Sequence, residues 1–567
     1  MIFQNLIAYY DRLAEANDPD IPPLGFSREE IGFSIILNRD GKMVGEPREL
    51  RTKIAANKYE FRSSIVPYSN TVNVRSSGAA TTPNFLVDKA DYIFGMSGND
   101  EKHVHRKSFT ELLETVAEQS DDPGILAVKS FLRTWNPADS SLLSLWDEMC
   151  GPHGKWVAFE LEGERGFIHE RPTVRLLWQN YLEEKEKCPQ GRSLVTNEFG
   201  NLQKQYAQFK FGSGASLVSF NEDAYESYGK KRGENAPIHI IDEFKSSAAL
   251  KYLFRSKKQR LSICDVVTVF WTAQTSPIED FFGQVLNPHD ADLDNNKQLA
   301  DFLRAAQKGK NPEIPNYDGE VPFYILGFSL NKARLALRFY HSCSVDELTR
   351  RIGRHFQRLE LTDRSEKDTE YRGLWHLLKE TARETKDISP LLGGALMRSI
   401  LEDSKYPLNL YHGVLGRIRA DQRISYLRAA ILKAVLIRNF DIEVPMSWDE
   451  QKKDIPYLLG GLFAVLEKAQ LDALGKINTT IRDRFYGAAS ATPQAVFPRL
   501  LRLAQHHISK ADYGHLSDRR IGQLMENINE FPAHLDLQGQ GLFAIGYYQQ
   551  RNLLWRKNEG EEKGEEK

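Results

Sequence analysis

The spacing of apolar residues changes character along the chain. Before about residue 343, short apolar runs typical of buried strands alternate with segments whose apolar residues recur every three or four positions. From Ser344 onward the apolar spacing is almost wholly helical. The pattern therefore predicts an α+β fold, with a mixed α/β N-terminal portion followed by a C-terminal α-helical bundle.

The same pattern predicts individual elements and four parts of the chain. A first core helix is predicted within residues 1–18, and Asp40-Gly41 is typical of a hairpin turn. Strands or hairpins are predicted at Ile31–Leu37, Lys155–Glu160, Gly166–Ile168, Leu217–Phe220, Ser262–Trp271 and Val321–Ser342. The predicted parts are an α/β N-terminal domain at 1–210, a central α/β region at 211–343, a helical region at 344–445 and a C-terminal helical bundle at 446–567.

Composition and charge narrow the possible functions only slightly. The hydrophobic fraction of 41% and the aromatic fraction of 11% suit folded domains. The net charge is −2, so any case for nucleic-acid binding must rest on a local concentration of cations. Without a run of 18 uncharged apolar residues or a secretory leader, we expect a cytoplasmic protein that does not enter a membrane.

The four cysteines do not suggest metal or disulfide chemistry. Cys150, Cys188, Cys264 and Cys343 are scattered, without a Cys-x-x-Cys pair. A zinc site needs four ligands brought close together. We therefore expect no metal and no cofactor, and unpaired, mostly buried thiols of a reducing compartment.

The most unusual charged stretch lies between Leu217 and Pro237. Two tyrosines, Tyr225 and Tyr228, precede three adjacent cations (Lys230, Lys231 and Arg232) that stand between two glycines. We predict a mobile, exposed loop whose cations reach a phosphate backbone and whose rings stack on a base. The alternative is a solvated surface loop, which is the usual role of a charge run.

A polar stretch between Tyr68 and Gly95 is a candidate for reading bases. Asparagine offers a donor and an acceptor on one planar group, arginine adds a charged fork, and small residues let the backbone approach a groove floor. The alternative is an ordinary surface excursion. The residues that this hypothesis assigns to base readout are Asn73, Arg75, Ser76, Ser77 and Asn84, with Lys89 on a phosphate.

Two predicted helices carry cations along one face. At 100° per residue, one face of the helix 348–359 collects Arg350, Arg351, Arg354 and Arg358, and one face of 499–510 collects Arg499, Arg502, His506 and Lys510. Such a face suits a nucleic-acid backbone, and Arg482 and Arg484 beside Tyr486 add further cations. The alternative is an amphipathic helix whose cations pair with neighbouring elements.

Catalytic motifs are not evident. The sequence has no phosphate-binding loop, no HExxH and no GxSxG. The rival hypothesis is a metal-dependent nuclease or nucleotide-processing enzyme that uses Glu222, Asp223 and Glu226, although two catalytic metals usually need further acids from elsewhere. A third hypothesis is a pure protein scaffold whose cations face partner proteins.

The order of residues in several runs resembles the large subunit of the type I-C CRISPR interference complex. The resemblance rests on SGASLVSFNEDAYESYGKKRGENAP at 213–237, PNFLVD at 83–88 with YIFG at 92–95, the hairpin beginning VPFYILGFSL at 321, YLLGGLFAVLE at 457–467 and NTTIRDRFYGAASATPQAVFPRLLRLAQ at 478–505. It covers nearly the whole chain. The chain departs from the family pattern at Val87 for cysteine, Lys89 for asparagine and Gly461 for arginine.

The resemblance implies a non-catalytic subunit of an RNA-guided surveillance complex. Such a subunit recognises the protospacer-adjacent motif in double-stranded target DNA, promotes R-loop formation and holds the displaced single strand. The implied partners are backbone subunits bound to guide RNA, a small helical subunit and a helicase-nuclease recruited in trans. The family also implies that the small subunit arises by internal initiation, for which Met446 is a candidate start; an ordinary loop methionine is the alternative.

Together these considerations assign sixteen residues to DNA. The readout and phosphate residues of the polar stretch come first, followed by the cations of the central loop. The remaining residues belong to the helical part, where Arg482, Arg484, Arg499, Arg502 and Lys510 are assigned to the displaced strand, and Arg350 and Arg354 to a DNA backbone.

Overall fold

The structure of the chain is a computed structural model that describes residues 1–55, 58–68, 82–95, 100–151, 154–185, 189–209, 215–220, 222–288, 296–331, 334–362, 371–475 and 477–555. The chain divides into two compact units. Unit 1 consists of Met1–Ser256 and Leu330–Ala336, and unit 2 consists of Lys257–Ser329 and Leu337–Lys567. The boundary after Ser256 separates these two units. The four-part division stays a prediction.

Unit 1 contains a mixed sheet covered by helices. Its strands are β1 (Phe26–Leu37), β2 (Arg48–Glu49), β3 (Arg51–Ala55), β4 (Lys58–Pro67), β5 (Val87–Asp88), β6 (Trp156–Leu161), β7 (Gln190–Arg192), β8 (Phe199–Asn201), β9 (Gln208–Phe209) and β10 (Ala215–Ser216). Its helices are α1 (Ile2–Glu15), α2 (Ala90–Ile93), α3 (Asp100–Val116), α4 (Pro123–Thr134), α5 (Trp146–Cys150), α6 (Pro172–Lys185) and α7 (Ile240–Arg255). Short 3-10 helices lie at Pro137–Leu142, Ile168–Glu170, Asp223–Tyr225 and Arg232–Asn235.

The main sheet of unit 1 has the order β3-β4-β1-β6-β5, and β2 also pairs with β1. Strand β1 is parallel to β6 and antiparallel to β4. Phe33, Ile35 and Leu37 lie on one face of β1, as the period of two along a strand requires, and are fully buried. Ser34, on the other face, is fully buried too, so both faces of this part of β1 are covered. The core beside them includes Phe85 stacked on Trp178, with ring centroids 5.6 Å apart.

Unit 2 begins with antiparallel strands and continues as helices. Its strands are β11 (Arg260–Ile263), β12 (Val266–Thr272), β13 (Pro322–Asn331) and β14 (Arg334–Ser344), of which the tip Leu330–Ala336 belongs to unit 1. Its helices are α8 (Ile278–Leu286), α9 (Lys297–Gln307), α10 (Val345–Leu359), α11 (Leu374–Lys379), α12 (Pro390–Leu401), α13 (Leu408–Asp421), α14 (Tyr426–Phe440), α15 (Ile455–Leu474), α16 (Ile481–Ala489), α17 (Pro493–Ile508), α18 (Gly514–Met525) and α19 (Leu537–Trp555). A 3-10 helix lies at Thr385–Asp387.

The predicted α+β fold is confirmed, with three local corrections. Ser262–Trp271 is a hairpin instead of one strand, because Cys264 adopts φ +53° and turns the chain. Gly166–Ile168 forms only an isolated bridge at Phe167, and Ile168 then begins a 3-10 helix. Leu217–Phe220 is not a strand, since β10 ends at Ser216. Leu217 and Val218 are half-buried and line a pocket together with residues of α1 and α7. Of the three cysteines described, only Cys343 is buried, so the prediction of mostly buried thiols is wrong for these residues.

Helices α15 and α19 approach closely at glycines in the C-terminal bundle. A Cβ atom on Gly460 would lie 2.1 Å from the carbonyl oxygen of Phe543, and one on Gly546 would lie 2.1 Å from that of Tyr457. Real Cβ atoms do not come so near a backbone oxygen. The two helices therefore pack backbone to backbone, which places the shared core around Phe463.

Replacing Gly460 with alanine is expected to lower the free energy of unfolding by about 1–3 kcal/mol, because the added methyl group must push α19 away. Gly416→Ala is the matched control. Gly416 lies in α13 where a Cβ meets nothing within 4 Å, so alanine should raise stability by up to about 1 kcal/mol. Denaturant unfolding measures both variants. A Gly460→Ala protein as stable as the native chain would contradict the close approach.

Candidate nucleic-acid interface

The central loop of unit 1 presents its three cations to solvent. Lys230, Lys231 and Arg232 are all exposed. The backbone of this loop is nevertheless held in place, since the Gly233 amide donates to the Lys204 carbonyl over 3.1 Å. The Asn235 side-chain amide donates to the carbonyl oxygens of Lys230 and Arg232 over 3.0 and 3.1 Å. The predicted exposure of the loop is therefore confirmed. Its hydrogen bonds argue against the predicted mobility.

The two tyrosines of this loop have different surroundings. The guanidinium of Arg334 lies 4.6 Å from the centroid of the Tyr225 ring and also hydrogen-bonds the Tyr225 hydroxyl. Arg334 belongs to unit 1, at the start of β14. Tyr228, by contrast, is 99% exposed. Of the two rings proposed for base stacking, Tyr225 therefore has one face taken by arginine and Tyr228 is open.

The polar stretch is only partly described. Asn73, Arg75, Ser76 and Ser77 lie outside the described residues. Asn84 is 1% exposed, and its backbone amide donates to Asp88 Oδ2 over 2.8 Å. A buried amide cannot meet a base edge, so the readout role predicted for Asn84 is not carried further.

Lys89 keeps the position that a phosphate contact requires. It is exposed at the N-terminal boundary of α2, and its backbone amide donates to Asp88 Oδ1 over 2.8 Å. Asp88 itself is fully buried in β5. The buried carboxylate thus fixes the backbone, while the ammonium group of Lys89 is free to extend outward.

The cation-bearing face of α17 is exposed along its length. Arg499, Arg502 and, just beyond the helix end, Lys510 are exposed, while Leu500 and Ala504 on the other side are buried. The Arg499 guanidinium lies 5.4 Å from the centroid of the Phe485 ring. Burial lowers the pKa of His507, and the positive charges of His506 and Lys510 lower it further. Arg484, in the preceding helix α16, is exposed as well. We call Arg484, Arg499, Arg502 and Lys510 together the α17 face.

Additional exposed cations near the α17 face were not predicted. Arg519 and Arg520 in α18 are both exposed, and Tyr513 between the two helices is 72% exposed. Adjacent residues point to different sides of a helix, so Arg519 and Arg520 form no stripe in the sequence. The exposed aromatic residue beside Lys510 was the signal that could have drawn attention to this segment.

The side chain of Arg482 is engaged in ion pairs within the bundle. Its Nη1 lies 3.9 Å from Glu467 Oε1, and its Nη2 lies 3.4 Å from Asp483 Oδ1. Glu467 is 1% exposed and also accepts a 2.5 Å hydrogen bond from the Tyr547 hydroxyl. A buried carboxylate needs such partners, so Arg482 is committed to the interior of the bundle.

The cations of α10 are likewise largely engaged. Asp403 lies 3.1 Å from Arg354, 2.8 Å from Arg358 and 2.8 Å from Arg438. Burial alone would raise the pKa of Asp403, but the hydrogen bond and charge of Arg358, with Arg438 and Arg354, hold that pKa below its usual value. Arg350 is exposed. The cations of α10 therefore fit the alternative in which they pair with neighbouring elements. Those of α17 fit the hypothesis of a surface for a nucleic-acid backbone.

The acidic residues of the central loop are exposed and precede its cations. Glu222, Asp223 and Glu226 lie in and beside a short 3-10 helix. Within the described ranges, no three histidine, cysteine, aspartate or glutamate side chains come together as metal ligands. Also within these ranges, no helix is both long and apolar enough to cross a bilayer.

Gly461 occupies a position that the resembling family gives to arginine, and the structure explains the small residue. A Cβ on Gly461 would lie 2.3 Å from Cη2 of Trp448, whose ring stacks on Tyr457 at 4.8 Å. The tryptophan therefore fills the space of a side chain at 461. A charged contact from this position is absent.

Comparison with known proteins supplies the family. A search of curated proteins found no match. The family model described as CRISPR-associated protein (Cas_Csd1) matches residues 6–555, which is nearly the whole chain. The chain therefore belongs to the Cas_Csd1 family of CRISPR-associated proteins.

Proposed function

We propose that this chain is the large, non-catalytic subunit of a type I-C RNA-guided complex. It recognises the protospacer-adjacent motif in duplex DNA, promotes R-loop formation and holds the displaced strand. Its partners are the guide-RNA-bound backbone subunits, a small helical subunit and a helicase-nuclease recruited in trans. The observation that carries DNA binding is the α17 face, where exposed cations lie along one side of a helix whose other side is buried.

Phosphate contacts explain why such a face suits a displaced strand. Each cation that neutralises a phosphate releases condensed counterions, which favours binding without regard to base sequence. A strand displaced by the guide can have any sequence, so a sequence-independent surface is what the task requires. The cations of α10 serve this purpose less well, because the side chains of Arg354 and Arg358 are already held in ion pairs with Asp403.

Motif recognition is assigned to unit 1. Lys89 and the cations at 230–232 are exposed there, and either group suits phosphate contacts that position a duplex. Base readout rests on the polar stretch between Tyr68 and Thr82, with Arg75 as its charged fork. Because Asn84 is buried, the proposed readout residues are Asn73, Arg75, Ser76 and Ser77.

Removing the arginine fork is expected to weaken motif preference. In the assembled complex, Arg75→Ala should reduce the ratio of affinities for intact and scrambled motifs by about fivefold or more, since a bidentate base contact contributes about 1–3 kcal/mol of discrimination. Asn84→Ala is the matched control, because its buried side chain should leave that ratio unchanged. Equal preference in native and Arg75→Ala complexes would contradict the assignment.

The enzymatic alternative is tested directly. Purified chain with Mg²⁺ and end-labelled DNA should leave the DNA uncut. Metal-dependent cleavage that disappears in Asp223→Ala would establish the nuclease and overturn the non-catalytic proposal. The internal start at Met446 remains a prediction; Met446 is exposed, and its carbonyl accepts a 3.0 Å hydrogen bond from Thr362.

A further inference from the structure

The tip of the central loop is a tight hairpin with an unusual residue in it. Ser227 and Lys230 form a β-bridge, and the Lys230 amide donates to the Ser227 carbonyl over 3.0 Å. The two residues between them, Tyr228 and Gly229, have φ angles of +53° and +71°. Two consecutive left-handed residues are the mark of a type I′ turn, whose first position normally holds asparagine, aspartate or glycine.

Tyrosine is a poor choice for this position on folding grounds. A left-handed backbone brings Cβ close to the following carbonyl, and a bulky residue gains no local hydrogen bond in return. Tyr228 is also 99% exposed, so its ring contributes nothing to the core. Neither conformation nor packing accounts for the ring, which leaves an external contact as its use.

The hairpin tip is held rigidly toward solvent. Behind it, the Lys231 amide donates to Glu234 Oε2 over 3.0 Å, and the Asn235 amide bridges two carbonyl oxygens of the loop. Gly233 is buried, and a Cβ there would lie 2.2 Å from the Gln203 carbonyl oxygen. The ring is therefore presented on a pinned backbone, which lowers the entropy lost when it binds.

Charge beside the ring indicates what it binds. Lys230, Lys231 and Arg232 come shortly after it and are exposed, whereas Glu222, Asp223 and Glu226 stand before it and are exposed too. An exposed aromatic ring next to several cations is how proteins hold single-stranded nucleic acid, with the ring stacked on a base and the cations on neighbouring phosphates. The preceding carboxylates restrict the phosphates to the Lys230–Arg232 side.

We propose that Tyr228 stacks on an unpaired DNA base at the point where the duplex opens, while Lys230, Lys231 and Arg232 hold the adjacent phosphates. The inference rests on the proposed function, because an unpaired base arises where this chain helps to open target DNA. A ring wedged beside a base step keeps the strands from re-pairing. Tyr225 does not share this role, since Arg334 covers one face of its ring.

The test uses the assembled guide complex and duplexes that carry 2-aminopurine at successive positions from the flanking motif. The fluorescence of this base rises when it is unstacked and falls when it stacks on an aromatic ring. With the native chain, one position near the motif should stay quenched although it is unpaired. Tyr228→Phe should keep this quenching, whereas Tyr228→Asn should lose it and bind the duplex about fivefold or more weakly.

Two controls separate stacking from a structural effect. Asparagine tolerates the left-handed conformation, so Tyr228→Asn should unfold at an equal or higher denaturant concentration than the native chain. Phe199→Asn removes another ring, 66% exposed in β8, and should leave quenching unchanged. Native behaviour of Tyr228→Asn, or an equal loss in Tyr228→Phe, would overturn the stacking proposal.

The outcome is distinguishable from failure of the proposed function. If the complex shows no preference for the motif while quenching still depends on Tyr228, motif recognition fails and stacking stands. If motif preference depends on this chain but no position is quenched through Tyr228, the stacking proposal fails alone. Cross-linking of the ring to guide RNA instead of DNA would also overturn it.

Discussion

Reversing two charges on the α17 face is expected to release the displaced strand. A complex carrying Arg499→Glu and Arg502→Glu should retain DNA at least about tenfold more weakly at physiological salt, because two phosphate contacts become repulsions. Both side chains are exposed, so charge reversal leaves the buried side of α17 unchanged, although Arg499 loses its contact with the ring of Phe485. The complex should therefore assemble normally.

Salt dependence identifies the mechanism of this loss. Each phosphate contact to a single strand contributes about 0.7 to the slope of log affinity against log salt, so that slope should flatten by at least about 1.4. Arg383→Glu with Lys405→Glu is the matched control, because both are exposed cations of unit 2 that do not belong to the α17 face. Equal losses in the two variants would indicate an effect of total charge and contradict a specific strand surface.

The second large effect concerns stability. Asp403→Asn is expected to lower the free energy of unfolding by about 3 kcal/mol, because Arg438, whose side chain is 4% exposed, would remain buried without its carboxylate. The neighbouring Glu402→Gln is the control. Glu402 pairs with Arg398 at the surface, and such a pair contributes about 0.5 kcal/mol or less. Denaturant unfolding at pH 7 should separate the two variants clearly.

The contribution of Asp403 should also disappear in acid. Its arginine partners lower its pKa in the folded chain below the unfolded value of about 3.9, so the stabilisation is complete above that value and is lost as the pH falls through the folded pKa. The native chain and Asp403→Asn should thus differ fully above about pH 5, begin to converge near about pH 4 and become alike only once the pH has fallen through the folded pKa. His355, whose pKa burial lowers to about 3, is present in both proteins. A difference independent of pH would contradict the charge-based account.

Local signals in the sequence were sufficient for much of the fold. We could predict strand β1, the hairpin of β13 and β14 and the helices after Ser344, because each depends on a pattern among residues close together in the sequence. The turn at Cys264 was missed because its left-handed residue is neither glycine nor asparagine. The strand predicted at Leu217–Phe220 was wrong because a short apolar run can stay half-buried beside a pocket without pairing as a strand.

For the candidate interface, the exposure of cations could be predicted from the sequence, but their ion pairing could not. Exposure of Lys230, Arg499 and their neighbours follows from loop composition and helical phase, which are local properties. Engagement of Arg354 by Asp403 and of Arg482 by Glu467 joins residues far apart in sequence, so one sequence could not reveal it. The burial of Asn84 beside Asp88 likewise depends on how β5 enters the core.

The central claim is that this chain gives the guide complex its preference for a flanking motif. Binding of duplexes with intact and scrambled motifs should be measured for the assembled complex with and without this subunit. The account predicts that both tight binding and preference for the intact motif require the chain. An unchanged preference in its absence would assign motif recognition to another subunit and contradict the account.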